Sequence, residues 1–231
     1  MPLPKLAPLL ALLFCSTLLA ELPPGAADQW QEKVAKARRD LDNADFTGVL
    51  RKTGKIQAEM QRTELGEEAR LRGLAAQTFL LRALARQATG LEREAVFDLR
   101  AARQIDKSLE DANLAAFGEP GTALAAAAKR EEEELRLSLA RGRGVEPPRQ
   151  LKPIFSDALH RLEGSVPEGL EVKVVIDAEG RPRQPDLPDF GAPLHPVVAI
   201  AVLNAIQEAR YQPATLEGKK VAVSYLIFMK P

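Results

Sequence analysis

Val172-Lys173-Val174-Val175-Ile176-Asp177-Ala178-Glu179-Gly180-Arg181 is where the chain changes character. Leu170, Val172, Val174 and Ile176 alternate with Glu171, Lys173 and Asp177, the period-two pattern of a half-buried strand. Asp177-Ala178-Glu179-Gly180 follows. An acceptor side chain at the first position and a glycine where φ turns positive predict a tight type I turn with a bulge, so Asp177 and Gly180 are structural turn residues. The return strand runs from Arg181 to about Leu187. Pro182 and Pro185 cannot donate to a ladder, so it belongs at a sheet edge or ends early.

Downstream, Pro196 suits the first position of a helix, with His195 at the cap. Val198, Val202, Leu203 and Ile206 form one apolar face, with Asn204, Gln207 and Glu208 opposite. Burying those four side chains contributes roughly 6–12 kcal/mol as an upper bound. Ordering the helix backbone costs as much, so helix and sheet need each other. The chain closes on a last strand, Val221 to Phe228. Val221, Val223, Tyr225 and Ile227 share one face, with Ala222, Leu226 and Phe228 on the other. A strand apolar on both faces expects cover on both sides.

Upstream of the decisive stretch the periodicity is helical. Asp28 can cap a first helix carrying Trp30, Val34 and Leu41. Asn43-Ala44-Asp45 is a turn before a helix over Phe46–Met60. Glu64–Ala88 and Leu91–Ile105 follow, separated by Thr89-Gly90. A last helix starts near Gly118-Glu119-Pro120 and runs to about Leu139; its Glu131-Glu132-Glu133-Glu134 run reads as a solvated face. Phe79, Ala83, Gly90, Ala95, Leu99 and Ala102 fall in one 34-residue frame beginning at Ala76. That frame resembles a tetratricopeptide repeat, with Arg86 where an aromatic is usual. The resemblance implies either a concave peptide-binding surface or a compact helical spacer. Arg141-Gly142-Arg143-Gly144-Val145-Glu146-Pro147-Pro148-Arg149 then breaks the helix and reads as a hinge. The expected class is α+β. The expected organisation is a leader over 1–27, a helical domain over 28–142, a linker over 143–152 and a small ββαβ domain over 153–231.

The C-terminal third also resembles a known family. The strand and turn from Val172 to Arg181, the helix ending Ala205-Ile206, Arg210-Tyr211-Gln212-Pro213-Ala214, Gly218-Lys219 and Val221-x-Val223 look like the C-terminal domain of TonB-family energy transducers. Phe155-Ser156-x-Ala158 resembles that domain's opening motif. Ala209 stands where the family commonly has Trp, and Lys220 where it has Pro. The resemblance implies a periplasmic domain that captures an extended segment of an outer-membrane transporter by adding a strand to an open edge. On that basis the partner-binding residues are expected at Arg210, Tyr211, Pro213, Val221, Val223, Tyr225 and Ile227. The alternatives are that the strand is internal, or that it pairs with a second copy to make a homodimer.

The first residues read as an address. Lys5 is the only charged side chain before Glu21, and the apolar run Leu6–Ala20 falls short of the ~20 residues of a spanning helix. Cleavage before Glu21 or Asp28 would release the chain to the periplasm. A retained inner-membrane anchor and a lipid on Cys15 are the alternatives. The leader has no His, which the family's proton-coupled anchor normally carries, and no long Pro-rich spacer follows. These absences point to a protein-binding adaptor more than to an energy transducer or a bare helical scaffold.

Catalysis and cofactors are not expected. His160 and His195 stand alone in sequence. His160 lies one turn from Asp157, and Ser156 and Ser165 lack a nucleophile elbow. Asp177 and Glu179 flank a turn. The single Cys and isolated His rule out spaced metal-ligand pairs, and no phosphate-cradling Gly loop appears. With 32 basic against 32 acidic side chains the chain is formally neutral, which argues against nucleic acid as a partner.

Overall fold

The computed structural model describes residues 26–61, 68–140, 144–151, 154, 157–162, 166–188 and 193–229. The leader up to residue 25 with Cys15, the Phe155-Ser156 pair and hinge residues 141–143 lie outside them. The architecture is α+β, with helices dominating the first part and small antiparallel sheets the second.

Five helices come first: α1 (Ala26–Asp42), α2 (Phe46–Met60), α3 (Glu68–Ala88), α4 (Glu92–Ile105) and α5 (Gly118–Ser138). Each packs on its neighbour, and α3 also touches α1 and α5. Ala and Leu hold α3 helical, and the small residues let α4 lie close against it. Phe79, Ala83, Ala95, Leu99 and Ala102 are all buried in this region, and Gly90 turns the chain between the two helices at φ +80°. Asp45 caps α2, accepting from the Gly48 N–H at 2.9 Å. Asp28, expected as the cap of α1, instead sits inside its first turn and pairs with Arg70. The helix begins at Ala26, and Ala27 is already buried.

The expected hinge is not a free tether. Within it β1 (Val145–Glu146) pairs with β6 (Ala214–Leu216), and β2 (Arg149–Gln150) pairs with β5 (Tyr211–Gln212). β6 also pairs with β7 (Lys219–Val221). A short helix, α6 (Asp157–Arg161), follows.

The central sheet has the order β4-β3-β8, made by β3 (Glu171–Ile176), β4 (Pro182–Asp186) and β8 (Val223–Phe228), all antiparallel. The β3–β4 turn is as expected. Gly180 N–H donates to the Asp177 carbonyl at 2.9 Å, and the Asp177 carboxylate accepts from the Glu179 and Arg181 amides at 3.1 and 2.8 Å. The strand register shifts between Lys173 and Val175, which accommodates Gln184 and Pro185 on the edge strand β4.

α7 (Pro196–Glu208) packs against β4 of this sheet. Pro196 opens it, and the Val197 N–H donates to His195 Nδ1 at 3.3 Å. Burial extends well beyond the one apolar face that was expected, although Glu208 is exposed. Residues 196–203, 205 and 206 are all buried, because α7 lies between the sheet and the helical array, touching α3, α4 and β4. A helix apolar nearly all round is a core helix. One continuous hydrophobic cluster joins Phe79 and Leu99 of the array to Val174, Val202 and Ile227.

Candidate functional site

Strand pairing fixes which atoms β8 offers. Met229 N–H donates to the Leu170 carbonyl at 2.9 Å, and the register runs from Glu171–Phe228 to Ile176–Val223. In an antiparallel ladder the bonded pairs alternate. Val223, Tyr225 and Ile227 therefore spend their amide groups on β3, while those of Ser224, Leu226 and Phe228 point away. Two other bonds agree with this phase. Asp177, an odd-numbered residue, donates to Arg181 on the β4 side at 3.0 Å, and the outward carbonyl of Ala222 accepts from Ala140 at 2.9 Å.

Among the described residues the outer edge is closed at its start. Leu139 bridges to Ala222, and Leu135, Leu139, Val175 and Ala222 form a small separate cluster under the end of α5. Beyond Ala222, β8 is the edge strand of its sheet among the described residues. The side chains alternate with the backbone. Val223 and Ile227 are buried against the core, and Tyr225 is half-buried. On the other face Ser224 is exposed, Leu226 is 47% exposed and Phe228 63%. Lys173 and Glu171 lie opposite Leu226 and Phe228 on β3 and are also exposed. Cover on both faces was expected for this strand. Among the described residues one face is buried or half-buried along the strand, and the other is buried at Ala222 and exposed at Ser224, Leu226 and Phe228.

The expected partner-binding residues are distributed otherwise than the sequence suggested. Tyr211 is buried in β5 opposite Gln150, donates its N–H to the Gly180 carbonyl at 2.9 Å, and meets Tyr225 edge-on at 5.7 Å between ring centres. Pro213 is half-buried beside the Gly180 turn, and Val221 pairs with Ala214 in β7. Arg210 is exposed but donates to the Gln207 and Ala209 carbonyls at 3.1 and 2.7 Å, closing the end of α7. Thus Tyr211, Val223, Tyr225 and Ile227 face inward, and the outward set is Ser224, Leu226 and Phe228. The signal for Leu226 and Phe228 was present as the second apolar phase of the strand.

Burial, and secondarily Tyr225, pushes the Tyr211 phenol up from 10.0 to about 12. The unfolded chain releases this proton near pH 10.0, while the folded chain holds it to about 12. That contribution to stability is therefore intact below pH 10 and is lost as the pH rises between the two values. Tyr211→Phe is expected to flatten this part of the urea-stability profile above pH 10; an unchanged fall would assign it elsewhere.

A second polar constellation joins the two halves. Arg82 on α3 grips Asp98 on α4 through Nε and Nη2 at 2.8 and 2.7 Å, and reaches Gln57 Oε1 on α2 at 2.7 Å. Its Nη2 also reaches Asn204 and Gln207 on α7 at 3.2 and 3.4 Å. Asn204 donates to Gln57, and Gln207 donates to Asp98, each from α7 into the array. Arg86 adds a second contact to Asp98 at 2.7 Å. So Asn204 and Gln207, placed opposite the apolar face, lie half-buried at an interior seam. The acidic run of α5 differs as well: Glu131 is buried and pairs with Arg183 of β4, while Glu132, Glu133 and Glu134 are exposed.

His195 serves the cap of α7, and His160 is an exposed residue of α6. Among the described residues no cluster of His, Cys, Asp and Glu could hold a metal, and no helix is long and apolar enough to cross a membrane. Comparison with protein-family models, with curated proteins and with solved structures finds no match to this chain.

Proposed function

We propose that this chain is a non-catalytic, periplasmic TonB-family-like protein that binds an extended peptide segment of a protein partner, such as an outer-membrane transporter, by strand addition to β8. The observation that carries the reading is the edge itself: outward amides at Ser224, Leu226 and Phe228, with Leu226 and Phe228 exposed beside them. Backbone pairing would give affinity, and alternate apolar side chains of the incoming strand would rest on Leu226 and Phe228. The tetratricopeptide-like array serves here as a rigid back wall, since α7 is clamped between it and the sheet. Removal of the leader before Glu21 would keep the buried Ala27 of α1, which removal before Asp28 would cut away. Glu21 as the mature N-terminus in the native host supports release; a retained Met1 supports the anchored energy transducer instead.

Proline substitutions separate binding from folding. Leu226→Pro deletes an outward N–H, leaves the β3 ladder whole and is expected to cost about 1 kcal/mol while abolishing partner pairing. Tyr225→Pro deletes an N–H bonded to β3 and is expected to cost about 3 kcal/mol. Partner trapped through a photoreactive residue at Phe228 should slow amide hydrogen exchange at Ser224 and Leu226. If those amides exchange as in the free protein, or if Leu226→Pro traps as much partner as the unsubstituted chain, strand addition is wrong. A dimer at micromolar concentration that Leu226→Pro dissociates would make a second copy the occupant.

A further inference from the structure

The seam between the two halves encloses a cleft of about 420 Å³, within the size range of small-ligand sites. Its walls come from α2, α3, α4, α7 and the start of β4. Six arginines line it, Arg82, Arg86, Arg93, Arg181, Arg183 and Arg210, against two glutamates, Glu94 and Glu208. Phe97, Ala201 and Ala205 supply an apolar patch.

The arginines are not equivalent. Arg82 is committed to Asp98, Gln57, Asn204 and Gln207. Arg183 is held by Glu131; burial, then Arg93, pushes its pKa down to about 10, so it stays cationic at neutral pH. Arg93 and Arg181 make exposed pairs with Glu179 and Glu94 at 3.4 and 3.7 Å, which are weak and easily exchanged. Arg86 shares the single carboxylate of Asp98 with Arg82 and contacts it through Nη1 alone. Two guanidiniums on one carboxylate leave a positive charge in excess at a site only 19% exposed at Arg86. Arg210 adds a cation that donates to the neutral carbonyls of Gln207 and Ala209. A partly desolvated excess of arginine favours oxyanions, which take the planar fork in bidentate fashion.

We propose that this cleft binds a small organic oxyanion, carrying carboxylate or phosphate, with its acid on Arg86 and Arg210 and its body against Phe97, Ala201 and Ala205. The site does not depend on the β8 edge. A ligand there would touch both halves at once and tighten the seam.

The test is thermal unfolding of the full chain at constant ionic strength, with citrate and pyrophosphate as probes and sodium chloride as the balancing salt. At a hundredfold excess over Kd, a saturable Tm rise of about 5 °C is expected from at least one probe. A response to citrate alone assigns a carboxylate ligand, and to pyrophosphate alone a phosphate ligand. Arg210→Gln, which is exposed, and Arg86→Gln, which leaves Asp98 paired to Arg82, should each raise the half-saturating concentration about tenfold. If Arg86→Gln does not fold, Arg210→Gln decides. No saturable rise with either probe, or a rise that survives Arg210→Gln unchanged, overturns the proposal.

Discussion

Gly180→Val is expected to cost about 4–5 kcal/mol and to collapse the C-terminal half. Two separate penalties meet at this residue. Gly180 sits at φ +78°, where a β-branched side chain is strained by about 1–3 kcal/mol. A Cβ built there would also lie 1.8 Å from the Tyr211 carbonyl oxygen. That oxygen cannot simply move aside. It belongs to β5, which is paired with β2 and bonded back to the Gly180 carbonyl through the Tyr211 N–H, and its side chain is packed on Tyr225. Relief of the overlap therefore means separating the turn from β5. Gly218→Ala provides the control: φ is +76° there, but nothing lies within 4 Å of the new Cβ. It should cost about 1 kcal/mol, the conformational penalty alone. Urea unfolding measures both. Equal losses for the two variants would show that close approach to Tyr211 does not matter, and with it that the β3–β4 turn is not anchored as described.

The contrast between these two glycines shows what a sequence carries. The turn at Asp177–Gly180 was legible because its causes are local: an acceptor at the first position, a permissive residue at the fourth and alternation on the strand before it. The start of α7 was legible for the same reason, with Pro196 at its first position and His195 at the cap. The anchoring of Gly180 on Tyr211 was not, since the two residues are far apart in the chain. Asn204 and Gln207 failed for a related reason. An amphipathic pattern shows which face of a helix is more apolar, but polar residues on the other face can meet water or a polar partner alike. Here the partner is Arg82 and Asp98, more than 100 residues upstream. Glu131 looked like its three neighbours and differs because Arg183 of β4 and Arg100 of α4 lie against it. On β8 both phases are apolar, so hydropathy alone could not say which one faced outward. The pleat links the two choices: the residues whose side chains enter the core, Val223, Tyr225 and Ile227, also give their amides to β3, and the docking set falls to the other phase.

Asp98→Ala is expected to cost about 4 kcal/mol, because it strands two guanidiniums in an interior built around one carboxylate. Asp98 is fully buried and receives Arg82, Arg86 and Gln207. Removing it leaves Arg82 with only the neutral oxygens of Gln57, Asn204 and Gln207, and sets its charge against that of Arg86. Removing the cations together with the anion should behave differently. The triple variant Asp98→Leu, Arg82→Met, Arg86→Leu replaces the charges with side chains of similar volume, so it should recover most of the loss, although Asn204 and Gln207 then lose partners. The location of the damage distinguishes this seam from an ordinary core defect. One hydrophobic cluster spans the helical array and α7, so the unsubstituted chain should unfold in a single transition. Asp98 acts on α7 only through Gln207 and through Arg82 to Asn204, so hydrogen exchange in Asp98→Ala should rise along α7 as well as in α3 and α4. Faster exchange confined to α3 and α4, with α7 unchanged, would mean that the network does not join the halves and that the array leaves the sheet and its open edge free to move on their own.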